Sequence, residues 1–353
     1  MLTKSDLQSF LQCPRKLWLE HRRPDLIPRD DPTLYRRAGD GRIVGDMARK
    51  QLGPDIVFPP HQDDQKTAVE KALAMLTAAP GQPAAEFPMA RDGLFARADA
   101  LVPKDLGYAL RETKASTFPL KGDKVTTDKP EDHHVDDLAI QSWVMQGAGI
   151  TMAKAELNLL DSQWRYPGGE DFGGLFRQLD VTAEALARAA KVPDWIAGAQ
   201  TSLADDMPRT QTGRQCKDPY PCPFGEFCRP FDDPGPEHPI ELLPDSAGKS
   251  LAKKLRETKG YTSILEPTPE ELTGKLAPLF RRIQAAHCTG KAVFEDACVE
   301  QIRSLAYPRY YFDFEGIDFP VPQWPGLRSY EAAPFQWSCH IERRPGVFEH
   351  AEF

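Results

Sequence analysis

The sequence predicts an α/β protein, and three observations carry that expectation. Stretches with apolar residues at helical spacing flank a group of short strand-like runs between residues 84 and 160. Turn residues bound each of those runs. A second set of helical segments then leads to another strand-like stretch, YPRYYFDFEGIDFP, which is rich in aromatics.

The elements follow in order. Thr3 with Asp6 three residues on forms a capping-box pattern. The helix it opens carries Leu7, Phe10 and Leu11 on one side. Pro14 ends or resets that helix and leaves Cys13 at a junction. Leu17 and Trp18 start the next apolar patch. Residues 41–52 and 62–79 read as helices, the second with Val69, Leu73 and Leu76 in register. AAEFPM (84–89), LFARADALV (94–102) and YALRETK (108–114) read as strands, and residues 103–107 as a hairpin loop. Residues 134–147 predict a helix with Asp132, Asp136 and Asp137 near its start, where the helix dipole favours acids. AELNLL (155–160) is a further strand, followed by helices around 182–191 and 193–203. The Pro-rich RPFDDPGPEHPIELLP marks a boundary near 229–244. Helical segments follow at 247–258, 269–287 and 292–305. No internal repeat is visible.

A chain of 353 residues has room for two or three domains. Hydrophobic content of 41% and charged content of 27% are those of an ordinary soluble protein. No apolar run approaches the ~20 residues that span a bilayer. The amino terminus, MLTKSDLQSFLQCPRKLW, lacks a signal-peptide core, so the expectation is a cytoplasmic protein with no membrane partner. There, seven cysteines point to metal binding or buried thiols rather than disulfides. A net charge of −8 argues against a generally basic nucleic-acid surface. Locally the balance reverses: Arg15–Lys50 holds ten Lys/Arg against six Asp/Glu, a stretch able to line a phosphate path or simply to be a solvated helical surface.

The hairpin carries chemistry. Alternation along a strand puts Glu112 and Lys114 on one face and turns Thr113 away. A loop centred near Asp105 sets Asp99 opposite Arg111 or Glu112, so two carboxylates converge. Hard carboxylate oxygens suit Mg²⁺ or Mn²⁺, with the Thr113 carbonyl as a further ligand. Lys114 is placed to orient a water and to stabilise charge on a phosphate. Phosphodiester hydrolysis is the natural reaction of such a set. The plain alternative is an amphipathic hairpin with a surface Glu–Lys pair.

Cys13, Cys216, Cys222 and Cys228 form a second constellation. The late three are separated by five residues each, which departs from common zinc spacing. Prolines stiffen their loop, and thiolates suit an iron–sulfur cluster or zinc. Clamping Cys13 to that loop closes about two hundred residues, and closure entropy grows only slowly with length. Cys288, Cys298 and Cys339 lack such context and read as buried, inert thiols.

Together, FLQCPRKLWLE, GLFARADALVPKDLGYALRETKAS, AIQSWVM and CKDPYPCPFGEFC resemble the RecB-type PD-(D/E)xK nucleases that carry a [4Fe-4S] cluster. AddB and the small CRISPR-associated adaptation nucleases are relatives. The resemblance covers about residues 1–230. It implies a restriction-endonuclease-like core, a central mixed sheet flanked by helices, and hydrolysis of single-stranded or end-containing DNA. It also implies cluster ligands at Cys13, Cys216, Cys222 and Cys228, metal-site residues at Asp99, Glu112 and Lys114, and a supporting glutamine at Gln141. Two positions depart from the family pattern. Gly45 stands where a metal-binding histidine is usual, with Asp46 as a neighbour pointing about 100° away on the helix. Met145 stands where an aromatic is usual. These departures keep open a second reading, a catalytically inactive cluster-bearing module that binds nucleic acid; a zinc-bearing scaffold is a third.

The tail resembles the start of a DEDD-type, ribonuclease H-like exonuclease domain, and the whole resembles an uncharacterised bacterial family joining the two. Asp313 and Glu315 share one strand face and are candidates for a two-metal site. Relative to that family the chain stops short. The expected organisation is a nuclease region at 1–230, a helical linker at 231–306 and a partial ribonuclease H-like sheet at 307–353. Of the remaining candidates, His133 and His134 read as a polar helix start, Glu86 as a surface glutamate, and Tyr310, Tyr311 and Phe312 as core.

Overall fold

The computed structural model describes residues 1–28, 32–118, 120–121, 124–125, 130–231 and 235–353. The basic stretch Arg15–Lys50 and the Pro-rich boundary at 229–244 thus lie partly outside the described residues, at 29–31 and 232–234. The chain divides into two units, Met1–Cys228 with Gly316–Phe335 and Arg229–Glu315 with Gln336–Phe353.

The first unit opens with β1 (Leu2–Thr3), α1 (Lys4–Gln12), α2 (Pro14–Arg22), α3 (Pro32–Lys50) and α4 (Gln65–Ala78). The strands β2 (Ala84–Arg91), β3 (Leu94–Lys104) and β4 (Gly107–Phe118) follow, with the two-residue strands β5 (Leu120–Lys121) and β6 (Lys124–Val125). Then come α5 (Asp132–Gly147), β7 (Met152–Asp161), β8 (Phe176–Asp180), α6 (Thr182–Ala189), α7 (Val192–Ala204) and the short α8 (Gly225–Cys228). Their six-stranded mixed sheet runs β1-β3-β4-β7-β8, with β2 on the other edge of β3. An α/β architecture is therefore present, as the helical and strand-like runs predict, and its mixed sheet is flanked by helices, as the resemblance implies.

Local chemistry explains the central elements. Lys104 pairs with Gly107, so only Asp105 and Leu106 form the hairpin turn. Gly107 sits at φ +121°, and a Cβ there would come within 2.3 Å of the Thr151 carbonyl oxygen. Only glycine allows β7 to begin so close to the turn. β4 and β7 are parallel, and α5 is the crossover between them. β7 is buried from Ala155 to Leu160, as a parallel strand covered on both faces should be. α5 is buried on most sides, which matches a helix packed into the sheet's core. Phe87, Met89, Leu94, Leu110, Leu138, Ile140 and Leu157 share that core. Met145 is fully buried in the same cluster, so it serves packing.

Two strands of the six-stranded sheet escaped the sequence reading. β1 is two residues long and pairs parallel to Leu94 and Phe95 of β3. β8, FRQLD, is mostly exposed and lacks an apolar alternation. Residues 316–335 belong with the first unit, although they fall in the region 307–353 that the sequence groups together. Specific contacts explain this: the Tyr330 hydroxyl donates to the Ala115 carbonyl at 2.8 Å, and Val321 packs with Val44 and Leu160.

In the second unit, α9 (Asp245–Lys259), α10 (Ala277–Thr289) and α11 (Asp296–Ser304) are helical. Ile240, Leu255, Ile264 and Phe280 make its core. β9 (Arg309–Ile317), β10 (Ala333–Arg344) and β11 (Val347–Glu352) form a three-stranded sheet ordered β11-β10-β9. The aromatic expectation fails here. Tyr310, Tyr311 and Phe312 are 60%, 50% and 50% exposed. Ring packing is local, with Phe312 stacked on Trp337 and beside Phe314. Cys339 is buried as expected, but Cys288 and Cys298 are exposed. Cys288 lies in the last turn of α10, and α11 buries no residue.

Candidate active site and cysteine cavity

The site lies where β3 and β4 part. Their ladder ends at Ala100 with Arg111, and β1 takes the same edge of β3 further on, at Leu94 and Phe95. Between them β3 has an open stretch that ends in Asp99. The Asp99 carboxylate closes the fork by accepting from the Thr113 amide at 2.7 Å. Asp99, Glu112 and Thr113 line a cleft of about 320 Å³ whose opposite wall is α3, with Arg42, Gly45 and Arg49.

Four charged side chains interlock beside it. Lys114 donates to Glu112 Oε1 at 2.7 Å and to Asp137 Oδ2 at 2.5 Å. Lys4 reaches the same Glu112 oxygen at 3.0 Å and Asp137 Oδ1 at 3.1 Å. Two ammoniums and two carboxylates thus alternate in a closed ring. Gln141 caps it, donating from Nε2 to Glu112 Oε2 at 2.6 Å and to Asp137 Oδ1 at 2.8 Å. Its Oε1 is buried without a hydrogen-bond partner. Glu112, Asp137 and Gln141 are 3%, 1% and 0% exposed, so the charges are largely withdrawn from water. Such burial is tolerable because each charge is paired and hydrogen-bonded.

The ring sets the local protonation. Burial opposes ionisation of Asp137, but Lys114 and Lys4 outweigh it and hold the carboxyl well below the usual carboxylate range. Burial likewise disfavours the Lys114 ammonium, and Asp137 and Glu112 outweigh that too, raising its pKa. Asp99 lies outside the ring. Burial and then the Glu112 charge push it up to about 7, against the pull of Lys4, Lys114 and the Thr113 amide. A buried carboxyl whose pKa is raised beside a second carboxylate is a mark of functional sites.

Asp99, Glu112, Thr113, Lys114 and Gln141 are therefore brought together. Gly45 lines the cleft, and a Cβ there would meet nothing within 4 Å. Asp46 pairs with Arg49 at 2.7 Å. Glu86 lines the same cleft rather than the outer surface. It has φ +49°, and the β2–β3 register skips it, from Ala85 with Ala100 to Phe87 with Ala98. Asp313 and Glu315 are both exposed on β9, and Asp313 Oδ1 accepts from the Phe314 amide.

Sequence reasoning missed Lys4 and misread Asp137. Asp137 stands four residues before Gln141, so both lie on one helix face, a spacing that could have flagged it. Lys4 is the first residue of α1, a position where the dipole disfavours a cation. His134 is also more than a polar helix start: it is 4% exposed, and burial pushes it down to about 3.

The four expected cysteines line one small cavity. Cys13 caps α1 and precedes Pro14 of α2, while Cys216, Cys222 and Cys228 come from the loop before and through α8. The Cys222 amide donates to the Cys216 carbonyl at 2.8 Å. The Gln12 amide donates to the carbonyls of Gln215 and Tyr220, tying the loop to α1. All four thiols are free, and burial raises the pKa of Cys222 and Cys228. A soft donor set at one cavity fits an iron–sulfur cluster or zinc. Among the described residues, no three His, Cys, Asp or Glu side chains are already arranged around one point as metal ligands.

Comparison with known proteins adds little. Residues 310–353 match the model of a domain of unknown function (DUF2779). No curated protein matches the chain. A solved structure titled "Crystal structure of SSO0001" is similar at 17% identity and a TM-score of 0.32, covering 64% of this chain and 85% of that one. No helix among the described residues is long and apolar enough to cross a membrane.

Proposed function

We propose that the first unit is a metal-dependent nuclease of the RecB-like PD-(D/E)xK type, hydrolysing DNA phosphodiester bonds and carrying a structural [4Fe-4S] cluster. The observation that carries this reading is the convergence of Asp99, Glu112, Lys114 and Gln141 at the fork between β3 and β4. The donor set fits Mg²⁺ or Mn²⁺, since Asp99 and Glu112 offer hard carboxylate oxygens and Thr113 a backbone carbonyl. Such a cation, when bound, supplies Lewis acidity toward the scissile phosphate. Gln141 and Lys114 hold Glu112 in place, and Arg42 and Arg49 on the α3 wall offer positive charge along the cleft. The cysteine loop, tied to α1, steadies the helices behind the site. Free thiols of this kind belong in a reducing compartment, so the cytoplasm is the proposed location.

The rival reading, a module that binds nucleic acid without cutting it, draws on Gly45, which offers no ligand from α3. One assay separates the two. End-labelled single-stranded DNA is incubated with Mn²⁺ and either the wild-type chain or Lys114→Ala. The wild type should cut, and the variant should be slowed at least about a hundredfold, the scale of losing one preorganised charge. An intact substrate with Mg²⁺ and Mn²⁺ alike, or equal cutting by both proteins, refutes the nuclease reading.

A further inference from the structure

Lys4 is held with unusual firmness for a residue so near the chain's start. β1 pins the backbone before it, with the Leu2 amide donating to the Gly93 carbonyl at 2.9 Å. The capping box pins the backbone after it, since Thr3 Oγ1 accepts from the Asp6 amide and Asp6 Oδ2 accepts from the Thr3 amide. His21 on α2 holds the other Asp6 oxygen at 2.8 Å. The ammonium is thus delivered from a fixed origin into the gap between Glu112 and Asp137. A lysine at the first position of a helix is a local misfit, and local misfits that persist are expected at functional sites.

Ring stoichiometry then matters. Two ammoniums balance Glu112 and Asp137 with no metal present. A divalent cation seeking Glu112 meets Lys4 and Lys114 on Oε1 and Gln141 on Oε2. Lys114 sits two residues from Glu112 on the same strand face, and both are fixed by β4. Lys4 comes from a separate element, α1, so its charge can be removed without touching β4.

We propose that Lys4 is a positioning residue that acts as a built-in counter-cation: it holds the Glu112–Asp137 pair when no metal is bound and competes with a divalent cation for Glu112. The inference rests on the metal-site reading above and deepens it. Lys4 sets how much divalent cation the site needs before it loads, which makes the amino-terminal segment a threshold element.

The test is Mn²⁺ binding to the full chain, read by loss of the free-ion electron paramagnetic resonance signal, with no substrate present. Lys4→Met should bind Mn²⁺ roughly tenfold tighter or more, because a unit positive charge next to the ligand oxygen no longer repels the dication. Lys4→Arg, which keeps the charge, should stay near wild type. Lys4→Gln carries the same expectation as Lys4→Met and serves if the latter melts too early to titrate. If the wild type binds Mn²⁺ and Asp99→Asn loses it, but Lys4→Met and Lys4→Gln bind no tighter, the role of Lys4 is refuted and the metal site stands. If none of these proteins takes up Mn²⁺ at millimolar concentration, the metal site and the role of Lys4 fall together.

Discussion

Replacing Asp99 with asparagine should change how stability depends on pH, and the size of the change follows from the fork. In the folded chain Asp99 is buried beside Glu112, which pushes its pKa up to about 7 from 3.8. Between those values the folded state holds a proton that the unfolded state has released. Unfolding therefore becomes easier as pH rises from about 4 to 7. Each pKa unit corresponds to ~1.4 kcal/mol, so the roughly three units here cap the loss at ~4 kcal/mol. An asparagine side chain at this position mimics the neutral acid, still accepts from the Thr113 amide and cannot ionise. The difference in unfolding free energy between the two proteins isolates this step, with the apparent midpoint belonging to the Asp99–Glu112 pair. Urea titrations from pH 4.5 to 8 in chelator-treated buffer are the assay. The asparagine variant should gain on the wild type as pH rises. Mn²⁺ should narrow the gap at pH 8, since it binds the ionised acid and the folded state only. Parallel pH profiles, with a difference that varies by less than ~1.4 kcal/mol, would refute the account of Asp99 as a carboxyl whose ionisation is opposed by burial and by Glu112.

Asp137→Asn should destabilise the chain by about 3–5 kcal/mol, because it leaves Lys4 and Lys114 sharing one counter-charge in a buried ring. Denaturant midpoints would check this, and a loss below ~1 kcal/mol would mean the ring is looser than its distances imply. Anaerobic purification should give a brown protein with broad absorbance that Cys13→Ser largely abolishes, as expected of thiolate-held iron. A colourless wild type containing zinc would point to the scaffold reading instead.

How far the sequence carried the reader depends on how local the cause was. The hairpin was legible because alternation, a polar turn and Gly107 all act within a few residues. Gln141 was reachable by resemblance, and Asp137 by the four-residue step to it, had the acids at the start of α5 not been credited to the helix dipole. Lys4 was not legible. Its role arises from a two-residue strand that slots beside β3, and no pattern that short has a period. The tail misled for the opposite reason. Tyr310, Tyr311 and Phe312 have strong strand preferences, but strand preference does not say whether a layer covers the sheet. Glu86 was underrated because a left-handed backbone in mid-strand has no signature when the residue is not glycine.

The pairing of Lys4 with Glu112 spans 108 positions, and Gln12 finds its partner 203 positions on. Vectorial synthesis therefore exposes Lys4 before Glu112 exists, and Gln12 long before residues 215–220 do. Leu19, fully buried in the end, packs against Phe224 and Cys228 and so waits in water or on a chaperone until that loop has emerged. A segment whose partners lie so far along the chain is consolidated late, so expression temperature should affect soluble yield through this clamp as well as through the sheet.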